Sequence, residues 1–231
     1  MSFTIVMLLA SAQVGAFGER ERDMQKVSSR AATTELAEYA DCIVADRSNA
    51  AAVTRFLREF PDDGAKSQAG IAVFGQDCIG RRFVGTMSLS ISWASLRGAL
   101  YPALYRREFG KGGPPAAIAA LEPLSLTTEF DRDTATLPAD YRPRRFLGDC
   151  VARRAPQEAH ALLMAKPYSK SENLAVDRLK GTLAICLPKG QVFRLNRDGL
   201  RAYIGEAMVK LARAAIAGGG TGAQAASPPQ G

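Results

Sequence analysis

Histidine is nearly absent from the 231-residue chain, which contains a single one, His160. Zinc motifs with two histidines and iron or copper sites with several cannot be assembled within such a chain. The sequence also has no C-x-x-C pair, no G-x-x-x-x-G-K-[ST] phosphate loop and no G-x-S-x-G nucleophile elbow. We therefore expect no metal site and no cofactor, and the common nucleotide and hydrolase motifs are excluded.

Long apolar segments are missing too, since no run approaches the roughly 20 apolar residues that a membrane-crossing helix needs. We therefore expect a protein that does not span a membrane. Hydrophobic residues make up 47% of the chain and charged residues 23%, which is the composition of one large or two small globular domains. The 30 Lys and Arg residues outnumber the 23 Asp and Glu residues, so the net charge is +7 at pH 7.

The N-terminus carries a short apolar segment at residues 3–10, followed at 10–12 by Ala-Ser-Ala. This small-x-small pattern is typical of a signal-peptide cleavage site, and Val-Gly-Ala at 14–16 is a second, weaker one. No Lys or Arg precedes the segment, so the signal is atypical or its natural start lies upstream; a buried first helix or strand is the alternative. Because the chain turns hydrophilic at 18–23, we predict a signal peptide at 1–12 and a periplasmic or secreted protein.

The four cysteines indicate an internal duplication. Cys42 and Cys78 are 36 positions apart, and Cys150 and Cys186 are also 36 apart. Each first cysteine lies in a helical apolar pattern, a second helix follows, and each second cysteine closes a third helical segment. This shared order of features predicts a tandem repeat.

Each copy then ends in a longer amphipathic helix that opens on a Leu-Arg pair, Leu96-Arg97 in the first and Leu200-Arg201 in the second. The sequence therefore predicts an all-α fold of two tandem, disulfide-stapled helical repeat units joined by a proline-rich connector. A final segment rich in Gly, Ala, Ser and Pro cannot bury enough apolar surface to offset its ordering entropy. The predicted boundaries are a signal peptide (1–12), an N-terminal extension (13–32), unit 1 (33–109), a Pro/Gly-rich connector (110–143), unit 2 (144–216) and a disordered tail (217–231).

Four cysteines allow three pairings, and a duplicated unit most simply carries its bond within itself. We therefore predict the disulfides Cys42–Cys78 and Cys150–Cys186. The alternative, a redox or nucleophilic thiol, needs a lowered pKa supplied by a cation, a helix N-terminus or a C-x-x-C pair. An aspartate precedes each first cysteine instead, within a helix, which favours structural disulfides.

The second copy carries Leu147-Gly148-Asp149-Cys150, a cysteine 36 positions later and a closing Leu-Arg helix. With these features the chain resembles uncharacterised exported bacterial proteins that have a tandem two-cysteine helical repeat. The resemblance covers roughly residues 36–213 by the repeat pattern. It implies export and a helical fold, and it brings no known activity and no functional residue.

Five arginines surround Cys150 and form a candidate anion-binding set: Arg142, Arg144, Arg145, Arg153 and Arg154. Basic residues near aromatic ones are typical of nucleic-acid binding. An exported protein meets little nucleic acid, so we expect none as a partner and favour an anionic envelope component or a protein partner. Dispersed surface charge is the alternative.

His160 is the one candidate general base, and Glu158 precedes it by two positions. Catalysis would need a nucleophile and carboxylates brought to it by the fold. Glu129, Asp131 and Asp133 alternate in the connector, but they lack the glycine of a calcium loop and are interpreted as a solvated segment.

Together these observations favour an exported, non-catalytic helical binding protein of the cell envelope that uses a groove between its units or its basic surface. One alternative is an envelope-polymer hydrolase that uses His160 and carboxylates. A second alternative, a cytoplasmic nucleic-acid-binding protein, requires that the first dozen residues are retained.

Overall fold

A computed structural model describes residues 14–59, 61, 67–74, 78, 92–127, 129–130, 132–187 and 196–221, with side chains from Arg30 to Gly218. These residues form eight α-helices and three short 3-10 helices, and they contain no strand. The α-helices are α1 (Val14–Ala45), α2 (Ala50–Arg58), α3 (Gln68–Val73), α4 (Trp93–Phe109), α5 (Tyr141–Arg154), α6 (Pro156–Met164), α7 (Lys170–Cys186) and α8 (Arg197–Thr221). The 3-10 helices are η1 (Arg47–Asn49), η2 (Ala116–Ala120) and η3 (Thr134–Thr136).

The predicted all-α fold and both predicted disulfides are confirmed. Cys42 is bonded to Cys78 and Cys150 to Cys186, with Cα–Cα distances of 5.9 and 5.7 Å, which are ordinary for disulfides. Helices α1 to α4 form the first unit, and α5 to α8 form the second. The packing repeats as well, since α1 contacts α4 and α2 contacts α3 in the way that α5 contacts α8 and α6 contacts α7.

The two closing helices, α4 and α8, pack against each other at the centre of the molecule. Gly98 and Ala202 occupy equivalent positions one residue after the two Leu-Arg pairs, and a Cβ added to Gly98 would lie 2.9 Å from the Cβ of Ala202. Nearby, Pro102 of α4 lies against Gly205 of α8, and α4 continues through this proline as one helix. When equivalent residues meet each other at an interface, the two halves are related by an approximate two-fold axis.

A pair of buried arginines repeats across this axis. Arg97 donates to the carbonyl oxygens of Phe56 and Leu57 at 2.8 and 2.7 Å, and Arg201 donates to the carbonyl oxygen of Leu162 at 2.6 Å. Carbonyls in the last turn of a helix have no partner within the helix and carry its negative dipole end. Each Leu-Arg pair therefore fixes the C-terminal end of the second helix in its own unit.

The connector is packed rather than loose. The short helix expected near residues 116–121 is present as η2, and its Ile118 is fully buried in the main core. Further along, Phe130 and Leu137 form a small second cluster with Leu126 and Tyr141. The connector thus contributes apolar side chains to both clusters.

The element boundaries differ in places from the predicted domain limits. Helix α1 runs without a break across residues 32 and 33, α5 begins at Tyr141, and α8 extends to Thr221, past the predicted start of the tail. The predicted signal peptide at 1–12 and the tail beyond Thr221 lie outside the described residues. No described helix is both long and apolar enough to cross a membrane.

Candidate functional site

The two units meet in a half-open groove along the crossing of α4 and α8. Its floor consists of small residues from both helices, Ala94, Gly98 and Ala202, and Arg144 and Tyr203 stand beside them. These five residues are shared by two adjoining lobes, which we call the wide lobe and the charged lobe. Because a glycine and an alanine meet at this crossing, the two backbones approach closely and leave this trough above them.

The two lobes are built from equivalent parts of the two units. The wide lobe has a volume of about 360 Å³ and is lined by Thr33, Ala37, Pro102, Pro167 and Arg201. The charged lobe has a volume of about 180 Å³. It is lined by the equivalents of these five residues, which are, in the same order, Tyr141, Arg145, Glu206, Pro61 and Arg97. The groove is therefore a duplicated feature in which two positions of the charged lobe, Arg145 and Glu206, carry charged side chains where the wide lobe has Ala37 and Pro102.

The charged lobe is backed by a buried ionic network. The Tyr141 hydroxyl donates to Glu206 Oε1 at 2.6 Å, and the Lys210 ammonium donates to the same oxygen at 2.5 Å. Lys210 also binds Glu129 of the connector, and Arg145 Nη2 donates to Glu129 Oε1 at 3.1 Å. The connector is thus tied to both α5 and α8 through one carboxylate.

Glu206 and Lys210 of this network are charged at neutral pH. Burial alone would raise the pKa of Glu206, but Lys210 and Arg145 together lower it to about 2. Burial would lower the pKa of Lys210, yet the carboxylate of Glu206 raises it above its ordinary value. The Lys210 ammonium also lies 5.6 Å from the ring centroid of Tyr101, a cation–π contact that favours the protonated form.

Arg145 makes only some of the hydrogen bonds that its guanidinium could donate. Its side chain is 4% exposed, and its Nε and Nη1 atoms find no hydrogen-bond partner among the described residues. Asp149 Oδ1 lies 3.6 Å from Nη1, which is too long for a hydrogen bond. Nη1 therefore keeps an ion pair with Asp149, whereas Nε is buried with no hydrogen-bond partner among the described residues. Because buried donors are nearly always paired in proteins, Arg145 is a cation at the wall of the charged lobe whose hydrogen bonds are incomplete.

Comparison with known proteins gives no family for the chain. It matches no protein-family model, no curated protein and no solved structure. The chemistry of the groove therefore rests on the geometry of its own residues.

Two of the five arginines predicted to bind anions, Arg144 and Arg145, line the groove. Arg144 forms an ion pair with Asp140, with exposed fractions of 43% and 56%, and its guanidinium lies 5.6 Å from the ring centroid of Tyr203. Ion pairs at such exposure contribute about 1 kcal/mol or less. Arg144 can therefore exchange Asp140 for an anion in the groove at little cost.

The other three predicted arginines lie elsewhere on α5. Arg142 donates to the carbonyl oxygen of Thr134 at 2.6 Å, and Arg153 donates to Asp149 Oδ2 at 2.8 Å. Arg154 is exposed. The fold therefore does not bring the five side chains together as one cluster.

His160 lies apart from both lobes. Its Nδ1 is 3.0 Å from the Tyr105 hydroxyl, and the two rings meet edge to face. Burial lowers the pKa of His160, so its imidazole is neutral at pH 7. Within the described residues no carboxylate contacts this ring.

Several residues of the site were missed by sequence reasoning. Glu129 was interpreted as part of a solvated loop, yet its side chain is only 11% exposed and lies between Arg145 and Lys210. Glu206 and Lys210 carry the one available signal, because they stand four positions apart on a helix whose inward positions are mostly apolar. Asp133 caps η3, and Asp131 lies outside the described residues.

Proposed function

We propose that this protein is an exported, non-catalytic binding protein of the cell envelope that recognises an anionic envelope component in the inter-unit groove. The observation that carries the proposal is Arg145 at the wall of the charged lobe, whose buried guanidinium has a long ion pair with Asp149 at Nη1 and no hydrogen-bond partner for Nε among the described residues. A carboxylate or phosphate oxygen is the natural partner of such a group. Arg144 stands beside it on an exposed, weak ion pair and adds a second cation at the entrance.

Location outside the cytoplasm is supported by the covalent structure. Each unit contains one disulfide, and disulfides persist mainly in oxidising compartments outside the cytoplasm. With the apolar segment and the cleavage pattern at 10–12, this favours a periplasmic or secreted protein. N-terminal sequencing of the protein from its native cells should begin near Gln13 or near Phe17. An intact Met1 on protein recovered from the cytoplasm would contradict export.

Binding rather than turnover is supported by the protonation states in the groove. A general acid must carry a proton at working pH, whereas the pKa of Glu206 is about 2 and its carboxylate is fully ionised. As a general base the same carboxylate is weak, because its low pKa and its hydrogen bonds from Tyr141 and Lys210 leave it little tendency to take up a proton. His160 is bonded to Tyr105 and does not line either lobe.

Titration of the protein with solubilised peptidoglycan, whose stem peptides carry carboxylates, tests the proposal. The affinity is measured at several salt concentrations. We expect Arg144→Glu to weaken binding roughly tenfold, because a charge-assisted contact of about 1.4 kcal/mol is lost. The affinity of this variant should also fall less steeply with rising salt concentration than that of the wild type. Arg154→Glu is the matched control, since it makes the same charge change on the same helix outside the groove, and it should alter affinity by less than about twofold.

Vesicles of anionic phospholipid, tested in parallel, distinguish groove recognition from general attraction to negative surfaces. Recognition in the groove predicts that Arg144→Glu and Arg154→Glu differ. Equal effects of the two variants, or binding to vesicles alone, would overturn the proposed site.

A further inference from the structure

A separate cavity of about 380 Å³ lies between the first unit, the connector and α8. We call it the side cavity. Its interior is apolar and receives side chains from α1, α2, α4 and the connector, among them Ile43, Val53, Leu57, Leu104 and Leu124. Tyr101 is the one lining residue that it has in common with the groove. Its volume lies within the range of about 300–1,000 Å³ that is usual for small-molecule sites.

The polar lining of the side cavity is mainly basic. Four basic side chains, Arg58, Arg107, Lys210 and Arg213, line it together with two acidic ones, Asp46 and Glu129. Lys210 and Glu129 belong to the ionic network described above, so three arginines and one remaining acidic side chain, Asp46, set the charge of the lining. Arg107 and Arg213 share Glu108, since Arg107 Nη2 lies 3.7 Å from Oε1 and Arg213 donates to both carboxylate oxygens at 2.6 and 2.9 Å. Two guanidiniums on one carboxylate leave an excess of positive charge at this point.

This combination selects one kind of ligand. Apolar surface inside the cavity gains free energy only from a hydrocarbon portion, and the excess of arginine favours a negative head group. We infer that the side cavity binds a single-chain amphiphilic anion, with its acyl chain against the apolar interior and a carboxylate or phosphate head near Arg58, Arg107 and Arg213. This site is independent of the one proposed for the groove.

Titration of the full-length protein with linear carboxylates of 8 to 16 carbons tests the acyl-chain part of the inference. Burying one methylene is worth enough to tighten binding by about fourfold. We expect affinity to rise by about this factor for each added methylene until the cavity is full, and to level off beyond that length. Affinity that does not depend on chain length would overturn the inference.

The head-group part is tested with an alkyl phosphate and an alkyl trimethylammonium ion of one chain length. We expect the alkyl carboxylate and the alkyl phosphate to bind, and the ammonium ion to bind at least tenfold more weakly. If the affinities of the anion and the cation are equal, the arginines have no role and the inference fails. The ratio between carboxylate and phosphate then distinguishes a fatty acid from a phosphate-headed lipid.

Two substitutions locate the binding in this cavity. Thr54 lines the cavity from α2, is exposed, and uses its hydroxyl for a bond to the Ala50 carbonyl of its own helix. Thr54→Trp should fill the cavity and weaken binding at least tenfold without loss of helicity. Arg58→Gln should weaken binding about fivefold, whereas Arg55→Gln, on the same helix but outside the cavity, should leave it unchanged.

These variants also separate this site from the groove. Arg144→Glu should not affect binding of the alkyl carboxylate, and Thr54→Trp should not affect binding of peptidoglycan. Binding of the amphiphile that survives Thr54→Trp in a protein with wild-type circular dichroism would show that it binds elsewhere.

Discussion

Arg201→Met is expected to destabilise the protein strongly, because it breaks a buried ion pair. Arg201 Nη1 donates to the Leu162 carbonyl oxygen at 2.6 Å and lies 3.1 Å from Glu172 Oε1. The side chains of Arg201 and Glu172 are 6% and 1% exposed. Methionine keeps much of the volume and the apolar stem, so the substitution mainly removes the charge and its hydrogen bonds.

The magnitude follows from what remains around Glu172. Removing one partner of a buried pair costs about 3–5 kcal/mol, because the other charge is left buried without compensation. Glu172 keeps the backbone N–H of Tyr168 at 2.6 Å and Arg197 at 3.7 Å. These contacts offset part of the loss, so we expect a cost at the lower end, about 3 kcal/mol.

Urea unfolding at pH 7 under non-reducing conditions, followed by circular dichroism, measures this cost. With a slope of about 2–3 kcal/mol per molar urea, the midpoint should fall by about 1–1.5 M. The double variant with Glu172→Gln should lose less than the sum of the two single variants, because the two residues share one interaction. A loss below about 1 kcal/mol for Arg201→Met, or additive effects in the double variant, would refute the reasoning.

Three further predictions concern packing, covalent structure and pH. Gly148→Ala places a Cβ 2.2 Å from the Tyr203 carbonyl oxygen, so it should lower the free energy of unfolding by about 3 kcal/mol. Gly181→Ala, which has open space around it, should instead raise the free energy of unfolding by about 0.5–1 kcal/mol. A similar effect of both variants in urea unfolding would contradict the close contact of α5 and α8. Cys150→Ala should cost about 4 kcal/mol, from the entropy that an opened loop of this length regains in the unfolded chain, and peptide mapping should confirm the pairing. The folded state lowers the pKa of Glu206 from 4.5 to about 2, so its carboxylate stabilises the protein above pH 4.5. About 3 kcal/mol of the free energy of unfolding should be lost as the pH falls from 4.5 to 2. The same pH dependence of stability in Glu206→Gln would contradict this assignment.

The sequence predicted those parts of the fold that depend on local patterns. Helical apolar periodicity identified the main helices, and the equal cysteine spacing identified both disulfides. The Leu-Arg pairs marked the start of α4 and α8. Their role as caps of another helix depends on hydrogen bonds between residues about 40 positions apart, and no local pattern indicates such contacts. The ends of α1 and α8 could not be predicted in this way, because both helices continue into segments of weak apolar periodicity.

The candidate site was predictable in outline and not in chemistry. Duplication predicted a groove between the units, and the basic cluster around Cys150 included Arg144 and Arg145. The bond between Lys210 and Glu129 spans 81 positions, so nothing near either residue indicates it. For the same reason the burial of Arg145 and the side cavity could be found only in three dimensions.

The central claim is that the groove binds an anionic envelope component and does not turn it over. Incubation of the purified mature protein with peptidoglycan from its own cells, with retention and release of soluble fragments measured in one sample, tests both parts together. We expect salt-dependent retention that Arg144→Glu weakens, no release of fragments, and no change in His160→Ala. Reproducible release of fragments that His160→Ala abolishes would contradict the claim and establish a hydrolase instead.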